Sequence, residues 1–249
     1  MNRAIRYSSK KVILIALAIG LLPIMLGTLL VYLKTSSDLS RTSDNAAHEA
    51  SRQITVMLNE AEAAANELIN IAGVPCSEVA KELREAVATY RFLRATNLAM
   101  DNQVYCSSLY GTDVNLTVNP QNYLRGRLRL VDQASPGPKT SVLILRVQHG
   151  TKSVLVGIDG RHIQDALHLI NKHSNLSLQV GNTWMTQYGI THTPPYKDFP
   201  TAPKTLLSNE YGFTVYAAYP AGTLVKHTFD TYSVPVSYTH LTLPTTERV

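Results

Sequence analysis

At 249 residues, with 45% hydrophobic and 16% charged residues, 13 glycines and 12 prolines, the chain has an ordinary globular composition. That excludes disorder and collagen-like repeats and fits one folded domain beside an anchor. The net charge is +5, but Arg3, Arg6, Lys10 and Lys11 supply four of those charges with no acid among them. The rest is nearly neutral and shows no Lys/Arg stripe with interleaved aromatics, so no nucleic-acid partner is expected.

After that basic N-terminus (residues 1–11) comes the uncharged run "VILIALAIGLLPIMLGTLLVYL", Val12 to Leu33. It matches the ~20 residues a helix needs to cross the hydrocarbon layer. Gly20 and Pro23 are tolerated in such helices. A cleaved signal peptide is the competing reading, but the run exceeds the usual ~7–15 apolar residues and "KTSSDLS" after it offers no small-x-small cleavage site. Basic residues before the run outnumber those just after it, where only Lys34 precedes Asp38. The positive-inside rule therefore expects residues 12–33 to span a bacterial inner membrane, with the N-terminus cytoplasmic and the remainder periplasmic. Membrane lipid is the first expected partner.

Residues 34–75 are expected to form a periplasmic segment dominated by one helix from about Leu39 to Gly73. Apolar residues recur at Ala50, Ile54, Met57, Ala61, Ala64, Leu68 and Ala72, on one helical face. Two roles are open for that stripe: packing on its own domain, or pairing with a second subunit as a homodimer. Gly73 and Pro75 stop the helix. "CSEVAKELREAVATYRFL" then has helical spacing at Val79, Leu83, Val87 and Phe92.

Further on, "SVLILRVQHGTKSVLVGID" reads as a β-hairpin with Gly150 in the turn, and it runs into a helix, "GRHIQDALHLIN", with Ile163, Ala166, Leu167 and Ile170 on one face. "LSLQVGNTWM" and "YGFTVYAAYP" have strand character. Helices followed by hairpin, helix and strands predict an α+β class: a transmembrane helix, a long membrane-proximal helix, and a PAS/Cache-like periplasmic domain (76–235) with a mainly antiparallel sheet. Trp184, Tyr188, Tyr216 and Tyr219 could line a ligand pocket, though aromatic core packing is the favoured fate for them.

The only two cysteines, Cys76 and Cys106, both fall on the expected outer side of the membrane, where thiols tend to be oxidised. The partner of each can be the other or a thiol of a second subunit, since sequence does not give their separation in space. They form no CxxC pair. The histidines lack zinc-ligand spacing: His162, His168 and His173 do not share one helical face. No metal and no cofactor is expected, and no catalytic residue is assigned.

"PCS" at Pro75–Ser77 and "YCSS" at Tyr105–Ser108, behind a single N-terminal spanning helix, resemble the CSS-motif domain. That domain is the periplasmic input module of bacterial cyclic-di-GMP phosphodiesterases, in which a second spanning helix leads to a cytoplasmic EAL domain. The resemblance covers about residues 12–230. Cys106, Ser107 and Ser108 match the naming motif and Cys76 matches its partner. The resemblance implies a Cys76–Cys106 disulfide made by the periplasmic thiol oxidation machinery, with the oxidised form restraining the phosphodiesterase and reduction releasing it. Ser107 and Ser108 are expected at least to solvate or cap their turn.

The chain has no EAL triplet and no acidic cluster for two metal ions, so the hydrolase itself is expected in the intact parent rather than here. "VSYTHLTLPTT", Val236 to Thr246, resembles one translated frame of a transposase sequencing adapter, so residues 236–249 are expected to be a non-native tail on an N-terminal fragment. The expected function is a redox-sensing input domain. The alternative is a ligand-binding sensor domain of a chemoreceptor or sensor kinase with a purely structural disulfide.

Overall fold

The computed structural model of the chain describes residues 9–133, 140–170, 174–195, 203–219 and 222–230. Two compact units divide the chain: Thr42–Pro220 forms one, and residues 1–41 with 221–249 the other. Helix α1 (Ser9–Leu68) begins in the latter, and from Ile13 it is long and apolar enough to cross a membrane. The side chains of that run, Leu14, Ile19 and Met25 among them, are exposed. A helical stretch over residues 223–230 also belongs to this unit. The adapter-like tail lies outside the described residues.

In the unit Thr42–Pro220 the apolar stripe of α1 is the core. Ala50, Ile54, Met57, Ala61, Ala64, Leu68 and Ala72 are all buried, in one cluster with residues of both sheets. Of the two roles open for the stripe, packing on its own domain is the one observed, so that face is not available to a second subunit.

A short 3-10 turn, Ile69–Ile71, and Gly73 follow α1. Gly73 has φ +98°, a backbone conformation that L side chains rarely adopt, and a Cβ there would stand 3.0 Å from Met100 Cε. Helix α2 (Cys76–Thr89) buries Cys76, Val79, Leu83 and Ala86. It ends earlier than its apolar spacing predicts. The Tyr90 N–H bonds the Ala86 carbonyl and Tyr90 is extended, so Phe92 leaves the helical face and packs edge-on against His162 instead, ring centroids 5.4 Å apart.

The first sheet has six strands: β1 (Leu93–Met100), β2 (Gln103–Ser107), β3 (Leu116–Thr117), β4 (Leu128–Gln133), β5 (Thr140–His149) and β6 (Lys152–Asp159). They run antiparallel in the order β3-β2-β1-β6-β5-β4. The β5–β6 hairpin closes at Gly150, as its sequence indicates, with His149 opposite Lys152. Strand β6 is buried on both faces, which explains its nearly unbroken apolar run. Val154, Val156 and Ile158 join the core shared with the helices, and Leu155 joins a smaller cluster with Ala99, Val104, Val118 and Tyr123.

Helix α3 (Gly160–Leu169) starts directly at the end of β6, capped by Asp159, whose carboxylate accepts from the Arg161 N–H at 3.0 Å. Burial pushes the Asp159 carboxyl up, but hydrogen bonds from Arg161 and the nearby Arg94 outweigh it and hold the group below the usual carboxylate range. A second antiparallel sheet follows: β7 (Asn175–Val180), β8 (Thr183–Thr186), β9 (Gly189–Thr191), β10 (Lys204–Leu207) and β11 (Thr214–Ala218), in the order β10-β11-β7-β8-β9. The domain is therefore α+β and antiparallel, with two sheets where the sequence pattern indicates only one.

Candidate functional site: the disulfide and its supports

Cys76 is the first residue of α2 and Cys106 lies on β2, and the structure joins them in an intrachain disulfide with Cα atoms 5.2 Å apart. The bond ties the α1–α2 junction to the first sheet. Cys106 is fully buried and Cys76 is 6% exposed. Neither sulfur faces open solvent.

The residues around Cys106 each hold part of this junction. Leu98 pairs with Cys106 and the next residue, Ala99, pairs with Val104, so Tyr105 is the extra residue of a β-bulge. Strict alternation would send Val104 and Cys106 to one face and Tyr105 to the other. The bulge breaks that rule: Val104 enters the smaller outer cluster, while Tyr105 and Cys106 both sit with the helices. Tyr105 can then accept a hydrogen bond at its hydroxyl from the Gly73 N–H, 2.7 Å away.

The two serines have equally definite tasks. Ser107 and Gly111 exchange backbone N–H to carbonyl bonds of 2.9 Å, and the Ser107 hydroxyl accepts from the N–H groups of Leu109 and Tyr110 at 3.3 and 3.4 Å. Ser107 thus closes the turn that ends β2. The Ser108 hydroxyl accepts from the Thr96 N–H at 3.0 Å, and the Ser108 N–H donates to the Thr96 carbonyl at 2.9 Å. Thr96 in turn donates from its hydroxyl to the Leu83 carbonyl of α2 at 3.0 Å. Helix α2 is therefore fastened to the sheet covalently at its first residue and by a buried hydrogen bond two turns on.

Ser108 is nearly fully buried, so Ser108→Ala should leave the Thr96 N–H without its acceptor and cost about 1–3 kcal/mol. Urea unfolding of oxidised protein reads that loss; an unchanged midpoint would remove the bracing role.

The remaining sequence candidates lie apart from this site. Trp184 and Tyr219 are buried. Tyr188 and Tyr216 line a cleft of about 310 Å³ on the second sheet, together with Ser177, Thr186 and Thr191. His162 contacts Phe92, His168 shares a hydrogen bond with Gln187 at 2.7 Å, and His173 lies outside the described residues. Among the described residues no group of three His, Cys, Asp or Glu side chains could hold a metal ion. Sequence reading took Gly73 only as a helix stop and Tyr105 only as part of the Tyr105–Ser108 motif, and it missed Thr96, which carries no sequence signal.

A long helix followed by two antiparallel sheets is the fold of extracellular sensor domains. The chain is similar to the extracellular domain assigned to the histidine kinase rpHK1S-Z16 (TM-score 0.50, 11% identity), with 78% of this chain and 97% of that one covered. It is likewise similar to the ligand-binding domain of the Campylobacter jejuni chemoreceptor Tlp3 bound to 4-methylisoleucine (TM-score 0.50, 9% identity), with 78% and 94% covered. The same receptor domain bound to L-norvaline gives TM-score 0.50 and 11% identity over the same shares. No curated protein matches the chain. The chain belongs to the CSS-motif family, described as the CSS motif domain associated with EAL, which matches residues 39–231. Its first helix is long and apolar enough to cross a membrane, and the domain has the fold of extracellular sensor domains.

Proposed function

We propose that this chain is the periplasmic redox-sensing input domain of a membrane-bound cyclic-di-GMP phosphodiesterase. It is anchored in the bacterial inner membrane with its N-terminus in the cytoplasm. The observation that carries the reading is that the family's Cys-Ser-Ser motif and its single disulfide converge on the α1–α2 junction. A bond placed there decides whether the C-terminal end of α1 is fixed to the sheet. Oxidation by the periplasmic thiol oxidation machinery holds it; reduction frees it. The phosphodiesterase is the EAL domain of the intact parent.

The test is made in that parent. Cys106→Ala should raise cyclic-di-GMP hydrolysis in membranes prepared under oxidising conditions, and unchanged hydrolysis would remove the switch role. The 310 Å³ cleft supports a second reading, a small-molecule sensor of chemoreceptor or kinase type with a structural disulfide. The output domain that the parent gene encodes with this module separates the two: an EAL domain supports the first, a kinase or chemoreceptor signalling module the second.

A further inference from the structure

Both sulfurs of the disulfide are out of reach of a reductant in the closed domain, yet a redox switch must be reducible. Thiol–disulfide exchange needs a thiolate to approach one sulfur roughly along the S–S axis. Cys106 is fully buried on β2. Cys76 directly follows the segment Gly73–Val74–Pro75, whose glycine and proline are exposed, so the approach to the bond is sought on the Cys76 side. What keeps that segment down is visible. The Gly73 N–H donates to the Tyr105 hydroxyl at 2.7 Å, and the backbone there takes a φ of +98° that favours glycine.

We propose that Tyr105 and Gly73 form a latch that gates reduction of the disulfide, and that a dithiol attacks Cys76 once the latch opens. This rests on the redox reading above and specifies how that site is regulated. The incoming thiolate bonds to Cys76 Sγ, the Cys76–Cys106 bond breaks, and its electron pair goes to Cys106 Sγ, which takes a proton and stays buried as a thiol. The second thiolate of the dithiol then displaces Cys76. The dithiol leaves as a disulfide, having given two electrons, and Cys76 leaves as a thiol once protonated. Tyr105 is a positioning residue here, since it touches neither sulfur. The partner is a protein dithiol of the thioredoxin type, because the second displacement needs a neighbouring thiol.

The experiment uses the full chain in membranes, oxidised, with dithiothreitol as the probe for rate. Tyr105→Phe should speed reduction about fivefold, the factor that loss of one neutral hydrogen bond carries. Gly73→Ala should speed it at least as much, because its φ strains any side chain. Arg52→Gln removes the exposed pair with Glu49 on α1 and should leave the rate unchanged. A merely structural tyrosine would lower the melting temperature without a selective change in rate. A thioredoxin-type protein with its second thiol replaced by serine should be trapped on Cys76, as peptide mass spectrometry reads. Equal rates for the Tyr105 and Gly73 variants and the unsubstituted chain, or trapping on Cys106, would overturn the latch. Because these rates are measured on protein whose disulfide is formed, that failure is separate from a failure of the redox reading, which the output of the parent decides.

Discussion

Cys106→Ala is expected to lower the stability of the unit Thr42–Pro220 by about 3–4 kcal/mol, the chain-entropy value for a loop of this length. The two cysteines are 30 positions apart, and that loop contains all of α2 and β1. Without the bond, the unfolded chain regains the freedom of that loop. The folded chain keeps the Thr96–Leu83 and Tyr105–Gly73 hydrogen bonds and the buried Val79, Leu83 and Ala86 to hold α2 and its approach. For a unit of this size the loss corresponds to a fall of roughly 10 °C in melting temperature. Thermal unfolding followed by circular dichroism checks it. Reduction of the unsubstituted chain should give nearly the same fall. A shift of only a degree or two would mean that the bond does not constrain the fold, and the mechanical account of the switch would fail with it.

Ile54→Ala is expected to cost about 2–4 kcal/mol, the range for deleting a fully buried aliphatic side chain. Ile54 is completely buried on the α1 stripe, in the same cluster as Leu143 and Leu145 of the first sheet and Leu178 and Val215 of the second. The cavity would open inside this shared core, and the alanines along the same helical face have little side chain with which to fill it. Because the stripe serves its own domain, the melting temperature of this variant and of the parent chain should not change with protein concentration. A strong concentration dependence, abolished by the substitution, would show instead that the stripe pairs two subunits.

How far the sequence foretold these features depends on where the decisive interactions lie. The α1 stripe was legible because one face of a long helix meets one core, so the period of the apolar residues survives intact. The β5–β6 hairpin was legible because Gly150 separates two apolar runs. The end of α2 was not: Val87 and Phe92 continue the helical spacing, but the backbone is already extended at Tyr90. The second sheet was hard to separate from the first because its strands are short. β7 and β8, for example, meet across Gly181 and Asn182 within the stretch Asn175–Thr186.

At the disulfide, the residue types were legible and their arrangement was not. Two thiols in an expected oxidising space pointed to a bond, and the serines pointed to a turn. The bulge at Tyr105 has no signature in "VYCSSLYG", since it is set by how β2 registers against β1. Alternation alone would have placed Tyr105 on the face away from the helices, and the contact with Gly73 would not have been foreseen. Thr96 is similar: it reads as an ordinary strand threonine, yet its hydroxyl is the second fastening of α2.

The most direct test of the redox account is the thiol state of the protein in its own compartment. Protein taken from intact cells and alkylated before lysis should carry no label without reductant and two labels after reduction, as intact mass shows. Two labelled cysteines without reductant would contradict the account.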